Sequence, residues 1–127
     1  MFRIRELNSP WRSVLHLGKR QKVAKSYRWP DDPDTDTFSF LEQGRVRLLN
    51  LSETGRERIV LYIEPGCLFR EIVLLHVSSM HPASLVALEP CEVYSFPRTL
   101  LDDADFVRRH PALMSNLVHS LGAKAGA

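Results

Sequence analysis

The sequence has few cysteines, little net charge and no long apolar run, and each shortage excludes a class of protein. Its 127 residues include two cysteines, too few for a disulfide framework or for the four thiolates of an iron–sulfur cluster. The net charge of +2 is too small to indicate a nucleic-acid-binding protein, because acids and bases are interleaved along the chain. No apolar run approaches the roughly 18 residues of a membrane span, and the first residues lack the apolar centre of a signal peptide. We therefore expect a cytoplasmic protein with reduced thiols and no membrane contact.

Motifs for catalysis and metal binding are also missing. The sequence contains no Gly-x-Ser-x-Gly elbow, no phosphate-binding loop and no His-x-His pair, so we expect no catalytic residue, no enzyme activity and no metal site. Four aspartates between Tyr27 and Asp36 lack the spacing of a calcium loop and predict a solvated loop. We expect no cofactor, although haem held by Cys67, His76 or His81 stays open as an alternative.

Turn residues at short, regular intervals between Pro10 and Pro97 predict many short strands. Trp11 and Trp29, at the start of this part, are predicted to be packing residues, and residues 52–55 are predicted to form a hairpin turn. In the strand after that turn, alternate apolar residues predict one core-facing side. The expected strands are residues 12–17, 21–26, 37–42, 45–51, 84–88 and 91–97, and the core-facing residues after the turn are Ile59, Leu61 and Ile63.

Beyond Pro97 the apolar period lengthens to about four residues, which predicts helices over about residues 99–125. Thr99 is the expected cap of the first helix, and Pro111 suits the first turn of the second. The apolar stripe of the second helix fits either the chain's own β structure or a second subunit. Its residues are the candidate dimer interface: Leu113, Leu117 and Leu121.

Five segments in order resemble the sensor domain of the cAMP receptor protein and fumarate–nitrate regulator (Crp/Fnr) family. They are FLEQGRVRL (40–48), GRE (55–57), PGCLFRE (65–71), ALEPCEVY (87–94) and PR (97–98), and the resemblance covers about residues 12–121. It implies a mainly β fold: a β-roll, or double-stranded jelly roll, with short flanking helices and the start of a C-terminal dimerisation helix. We therefore predict one domain over residues 1–127, with the β-roll at about 12–97.

The same resemblance implies a small-molecule effector, a homodimer through the C-terminal helix, and DNA contact only through a domain that would follow it. The sequence ends at Ala127, before such a domain, so we expect no sequence-specific DNA binding by this chain. Because few helical turns are available, we expect the dimer to be weak.

The cyclic-nucleotide branch of the family carries Phe-Gly-Glu and then Arg-Ser or Arg-Thr before Ala. Arg70 stands here for the glycine that lets the backbone approach the phosphate, His81 for the arginine and Pro82 for the hydroxyl residue. Glu71 is kept, either for a ligand or for a structural contact with backbone N–H groups or Arg70. We expect an effector other than cAMP, at a candidate site formed by Phe69, Arg70, Glu71, His81, Pro82 and Ala83.

Residues 81–89 look closer to the oxygen-sensing branch of the family, but residues 1–66 contain no cysteine that could ligate its cluster. Two other functions stay open beside the regulator. One is a stand-alone β-roll that binds a protein partner, and the other is a haem-based gas sensor.

Overall fold

The computed structural model describes residues 2–30, 36–51, 56–71 and 83–125. These residues form a mainly β structure with helical segments near both ends. The strands are β1 (Phe2–Ile4), β2 (Lys19–Val23), β3 (Arg28–Trp29), β4 (Thr37–Gln43), β5 (Val46–Leu51), β6 (Glu57–Ile63), β7 (Cys67–Phe69), β8 (Ala83–Ala87) and β9 (Cys91–Pro97). The α-helices are α1 (Ala104–Arg109) and α2 (Pro111–Ala125), and 3₁₀ helices cover Ser9–Leu17 and Arg98–Asp102.

The strands make two sheets. One has five strands in the order β1-β6-β5-β8-β3, and the other has four in the order β2-β9-β4-β7. The short β1 runs parallel to β6, and the other neighbouring strands are antiparallel. This arrangement confirms the predicted mainly β fold class, with short helices flanking the sheets.

Alternate residues of the strands fill the core, as the sequence predicts. Leu61 and Ile63 of β6 are both buried, whereas the side chain of Ile59 and the predicted turn at 52–55 lie outside the described residues. Trp11 and Trp29 are buried in two separate core clusters, which confirms their packing role. In the four-stranded sheet, alternate side chains of β4 and β7 enter different clusters: Leu41, Cys67 and Phe69 lie in one, and Phe38, Phe40 and Leu68 lie in the other. Both faces of this sheet therefore build core.

Residues 12–17 form part of a 3₁₀ helix rather than the predicted strand. Pro10 occupies the start of this helix, where its missing N–H costs nothing. Trp11 and Val14 follow with a spacing of three, which places both on one side of a 3₁₀ helix, and both are buried. Burial of these two side chains therefore favours the helix over a strand that would point them to opposite faces.

Two neighbouring predictions also need correction. The strand expected at 21–26 is β2, which ends at Val23. The loop expected from Tyr27 to Asp36 begins with the short strand β3, and Trp29 of β3 packs in the core. The aspartates at 31–35 lie outside the described residues.

The predicted helical region is confirmed, with a different cap. Thr99 lies inside the second 3₁₀ helix, and Asp103 caps α1 instead. The Asp103 carboxylate accepts the backbone N–H groups of Asp105 at 2.9 Å and Phe106 at 3.2 Å, which supplies partners for two orphan donors of the first turn. α2 begins at Pro111, as predicted.

The leucine stripe of α2 packs on the chain's own core. Leu113 and Leu117 are only 4% and 6% exposed, and Leu121 is partly buried against the same cluster. Leu113 and Leu117 are therefore occupied in the core of the chain itself, and a subunit contact through the three leucines stays a prediction. The cluster also contains Trp11, Val14, Phe38, Phe40, Leu68, Phe96 and Phe106.

Candidate functional site

The candidate site begins where β7 ends. Cys67, Leu68 and Phe69 are buried, and β7 is the edge strand of the four-stranded sheet, where it pairs with β4. Arg70 and Glu71 follow directly, so the core fixes the place where the site starts. Phe69 itself packs edge-on against Trp29, with ring centroids 5.1 Å apart, and its predicted contact with an effector stays a prediction.

Two of the other predicted site residues, His81 and Pro82, lie outside the described residues, and their roles stay predictions. Ala83 is the first residue of β8, which pairs with β5. The structure therefore brings Phe69, Arg70 and Glu71 together at the end of β7 and describes only the backbone of Ala83 beyond them.

Arg70 adopts a backbone conformation that favours glycine. Its φ is +65°, in the left-handed region, where a non-glycine residue costs about 1–2 kcal/mol. Its guanidinium group donates to the carbonyl oxygen of Pro30 at 3.4 Å. The turn after β7 thus keeps the shape expected of the family glycine while carrying a long cationic side chain.

Glu71 is buried and forms an ion pair with the end of α2. The Nζ of Lys124 donates to Oε2 of Glu71 at 2.6 Å and also to the carbonyl oxygen of Leu68. The side chains of Lys124 and Glu71 are 14% and 7% exposed. The structural partner of Glu71 is therefore Lys124, which no pattern in the sequence indicated.

A neutral hydrogen-bond network lies beside this ion pair. The buried Asn8 accepts the backbone N–H of Leu68 at 2.8 Å through Oδ1 and donates to Oδ1 of Asn116 at 2.9 Å. Asn116, in the middle of α2, donates in turn to the carbonyl oxygen of Leu7 at 3.0 Å. Because each buried amide has partners, the network ties the N-terminal segment, β7 and α2 together at little desolvation cost.

Of the candidate haem ligands, the structure describes Cys67. This residue is fully buried in the core, and burial raises the pKa of its thiol, which favours the protonated form over a metal-binding thiolate. His76 and His81 lie outside the described residues. Within the described ranges, no three His, Cys, Asp or Glu side chains converge as metal ligands would, and no helix is both long and apolar enough to span a membrane.

The outer side of α2 carries a shallow groove. Val118 is 67% exposed there, more than any other large hydrophobic side chain that the structure describes. The groove encloses about 400 Å³ and lies between α1 and α2, where it is lined by Val107, Pro111, Met114, Ser115, Val118 and His119.

Comparison with known protein families and solved structures agrees with the fold described above. Residues 29–104 match the family model of the cyclic nucleotide-binding domain. No curated protein sequence matches the chain closely enough to count as a relative.

Several solved regulators share the fold. CprK in complex with OCPA is 17% identical, with a TM-score of 0.79 over 98% of this chain and 55% of that protein. The catabolite activator protein of Thermus thermophilus is 27% identical, with a TM-score of 0.73 over 90% of this chain and 53% of that protein. The c-di-GMP-responsive regulator CLP of Xanthomonas campestris is 16% identical, with a TM-score of 0.76 over 90% and 57%. The chain thus spans about half the length of these structures.

Proposed function

Because the chain belongs to the cyclic nucleotide-binding domain family, we propose that it is the effector-sensing domain of a Crp/Fnr-type bacterial transcription regulator. The observation that carries the proposal is the buried carboxylate of Glu71, held directly after β7 within the segment that matches the family. A buried carboxylate at this place can accept hydrogen bonds from a ligand in the roll. The domain then acts by binding a ligand rather than by catalysis.

We further propose that the effector is not cAMP. Arg70 keeps the left-handed turn but fills the space of the family glycine with a long side chain. His81 and Pro82 in the sequence weaken the phosphate position in addition.

Two measurements test the proposal. Native mass spectrometry and a visible absorption scan of the purified chain detect a retained small molecule or haem without prior choice of ligand. A sensor domain is expected to show either a retained small molecule or a ligand-induced mass shift when a metabolite mixture is added. A chain that binds no small molecule from such a mixture contradicts the sensing function.

Calorimetry tests the exclusion of cAMP. We expect no dissociation constant in the low micromolar range for cAMP or cGMP, and at least tenfold tighter cAMP binding after the double substitution Arg70→Gly and His81→Arg. The same residue changes at the exposed Arg5 and His16 serve as the matched control and are expected to change nothing. Low-micromolar binding by the unaltered chain would show that the site is not degenerate.

We propose that the regulator forms a homodimer through the exposed side of α2. The groove around Val118 supports this choice, because the leucines of the helix are used by the chain's own core.

DNA contact belongs to a separate domain, and a cytoplasmic location is consistent with the free thiols of Cys67 and Cys91. The rival function, a stand-alone module that binds a protein partner, is excluded if the reading frame continues past Ala127 into a helix-turn-helix.

A further inference from the structure

α2 is attached to the strand that leads into the candidate site at two places along its length. In its middle, Asn116 reaches the backbone N–H of Leu68 through Asn8. At its end, Lys124 donates to the carbonyl oxygen of the same Leu68 and to Glu71. Both polar backbone groups of one residue in β7 are therefore connected to the helix.

The two attachments differ in what else supports them. Around Asn116 the helix is also held by Leu113 and Leu117, which are buried in the core. After Leu121, Gly122 and Ala123 are exposed, and a Cβ on Gly122 would meet no atom outside its own helical turn within 4 Å among the described residues. The polar contacts that the structure shows between this last turn and the sheet are those of Lys124, and glycine weakens the helix at the same point.

The chemistry of Glu71 determines how this end attachment can open. A carboxylate only accepts hydrogen bonds, and leaving a buried one without a partner is costly. Simple dissociation of Lys124 is therefore unfavourable. A molecule that brings hydrogen-bond donors to Glu71 removes this cost, because it replaces the ammonium group as the partner of the carboxylate.

We propose that the Lys124–Glu71 ion pair is a latch that closes the effector site. An effector opens this latch when its hydrogen-bond donors replace the ammonium group of Lys124 at Glu71. The chemical class of effector is a small molecule with adjacent hydroxyl or amino donors. An anionic group on the same molecule would meet the ammonium of Lys124 as it leaves. Displacement releases residues 122–125 from the sheet while Leu113 and Leu117 keep the rest of α2 in place. This inference rests on the proposed function, because it takes Glu71 as the ligand-binding carboxylate.

Amide hydrogen exchange of the chain without ligand tests the latch. Glu71→Gln removes the negative charge that holds Lys124, and Lys124→Met removes the ammonium group. We expect each substitution to speed exchange of the amides at 120–125 at least tenfold and to leave β9 unchanged. Lys124→Arg should keep exchange slow, since a guanidinium still donates to Glu71, and Lys22→Met, at an exposed lysine of β2, should change nothing.

Unchanged exchange at 120–125 in the two variants overturns the latch, and so does an equal increase throughout β9, which would indicate general destabilisation. A measurement on the unaltered chain covers the case in which the variants do not fold. Acetic anhydride should acetylate Lys124 at least tenfold more slowly than Lys22, and equal rates overturn the proposal. Neither measurement needs an effector, so the latch can fail while the sensing function stands, and the mass-spectrometric test can fail while the latch stands.

Discussion

Shortening one leucine side chain of α2 tests whether this helix packs in the core of its own domain or forms an interface with a second subunit. Leu117 is 6% exposed and lies in the cluster that contains Trp11 and Phe106. If the helix packs on its own domain, Leu117→Ala destabilises an isolated monomer. If the leucine instead served a second subunit, the same substitution would lower dimer affinity and leave the monomer stable.

The expected magnitude follows from the burial of the side chain. A buried leucine replaced by alanine loses about 2–5 kcal/mol of unfolding free energy, from the transfer of the side chain and the cavity that it leaves. The total for a domain of this size is about 5–15 kcal/mol. At about 4 °C for each kcal/mol, the melting temperature should fall by about 8–20 °C.

Urea unfolding at several protein concentrations measures this effect, with Val118→Ala on the adjacent exposed position as the control. Val118 is 67% exposed, so its substitution should stay within about 0.5 kcal/mol of the unaltered chain. Sedimentation of Val118→Asp then reports on the dimer, which this charge should disrupt without unfolding the monomer. A loss below about 1 kcal/mol for Leu117→Ala would refute the assignment of Leu117 to the core.

Three further substitutions or treatments follow from single contacts. Gly44→Ala should cost at least about 2 kcal/mol in urea unfolding, because φ is +104° and a Cβ would lie 2.5 Å from Sγ of Cys91; a neutral result would contradict this turn geometry. The hydrogen bond from Arg12 lowers the pKa of Glu6 below its ordinary 4.5, so this contribution to stability is full above about pH 4.5 and is lost as the pH falls through the lowered value. Arg12→Gln should therefore flatten the acid branch of the stability curve, and identical acid branches would argue against the pair. Burial raises the pKa of Cys67, so iodoacetamide at pH 8.5 should modify it at least tenfold more slowly in the native chain than in urea, and equal rates would place the thiol at the surface.

Of the strands from Thr37 onward, β4, β5, β6, β8 and β9 were predicted from local signals in the sequence, whereas the short β7 was not predicted. Leu61 and Ile63 alternate with outward residues, and turns at Gly44 and Gly66 carry the positive φ that glycine permits. The start of α2 was equally accessible, since proline at the first turn of a helix is a local signal.

The segment Ser9–Leu17 was predicted wrongly because tertiary burial decided its structure. Its polar and apolar residues alternate loosely enough to suggest a strand, yet Trp11 and Val14 share one side only in a helix with three residues per turn. The core that receives them is built by strands far along the chain, such as β4 with Phe38. The spacing of three residues between Trp11 and Val14 was the signal in the sequence that could have predicted the 3₁₀ helix.

The partner of Glu71 could not be found from the sequence for a related reason. Lys124 lies 53 residues away, and no local spacing connects the end of a helix to the end of a strand. A lysine in the last turn of a helix is ordinarily explained by the helix dipole. Only the fold shows that the ammonium group of this lysine donates to a buried carboxylate at the end of β7.

We expect that the smallest piece of this chain that can fold alone is longer than the segment that matches the family model. The match covers residues 29–104, but the cluster around Phe38 and Phe96 is completed by Trp11 from one flank and by Leu113 and Leu117 from the other. A fragment trimmed to the matched residues would present both phenylalanines to water and should collapse or aggregate rather than fold. The two flanks do not pair with each other as strands, yet they depend on each other through this shared cluster, so trimming either end should loosen the opposite one.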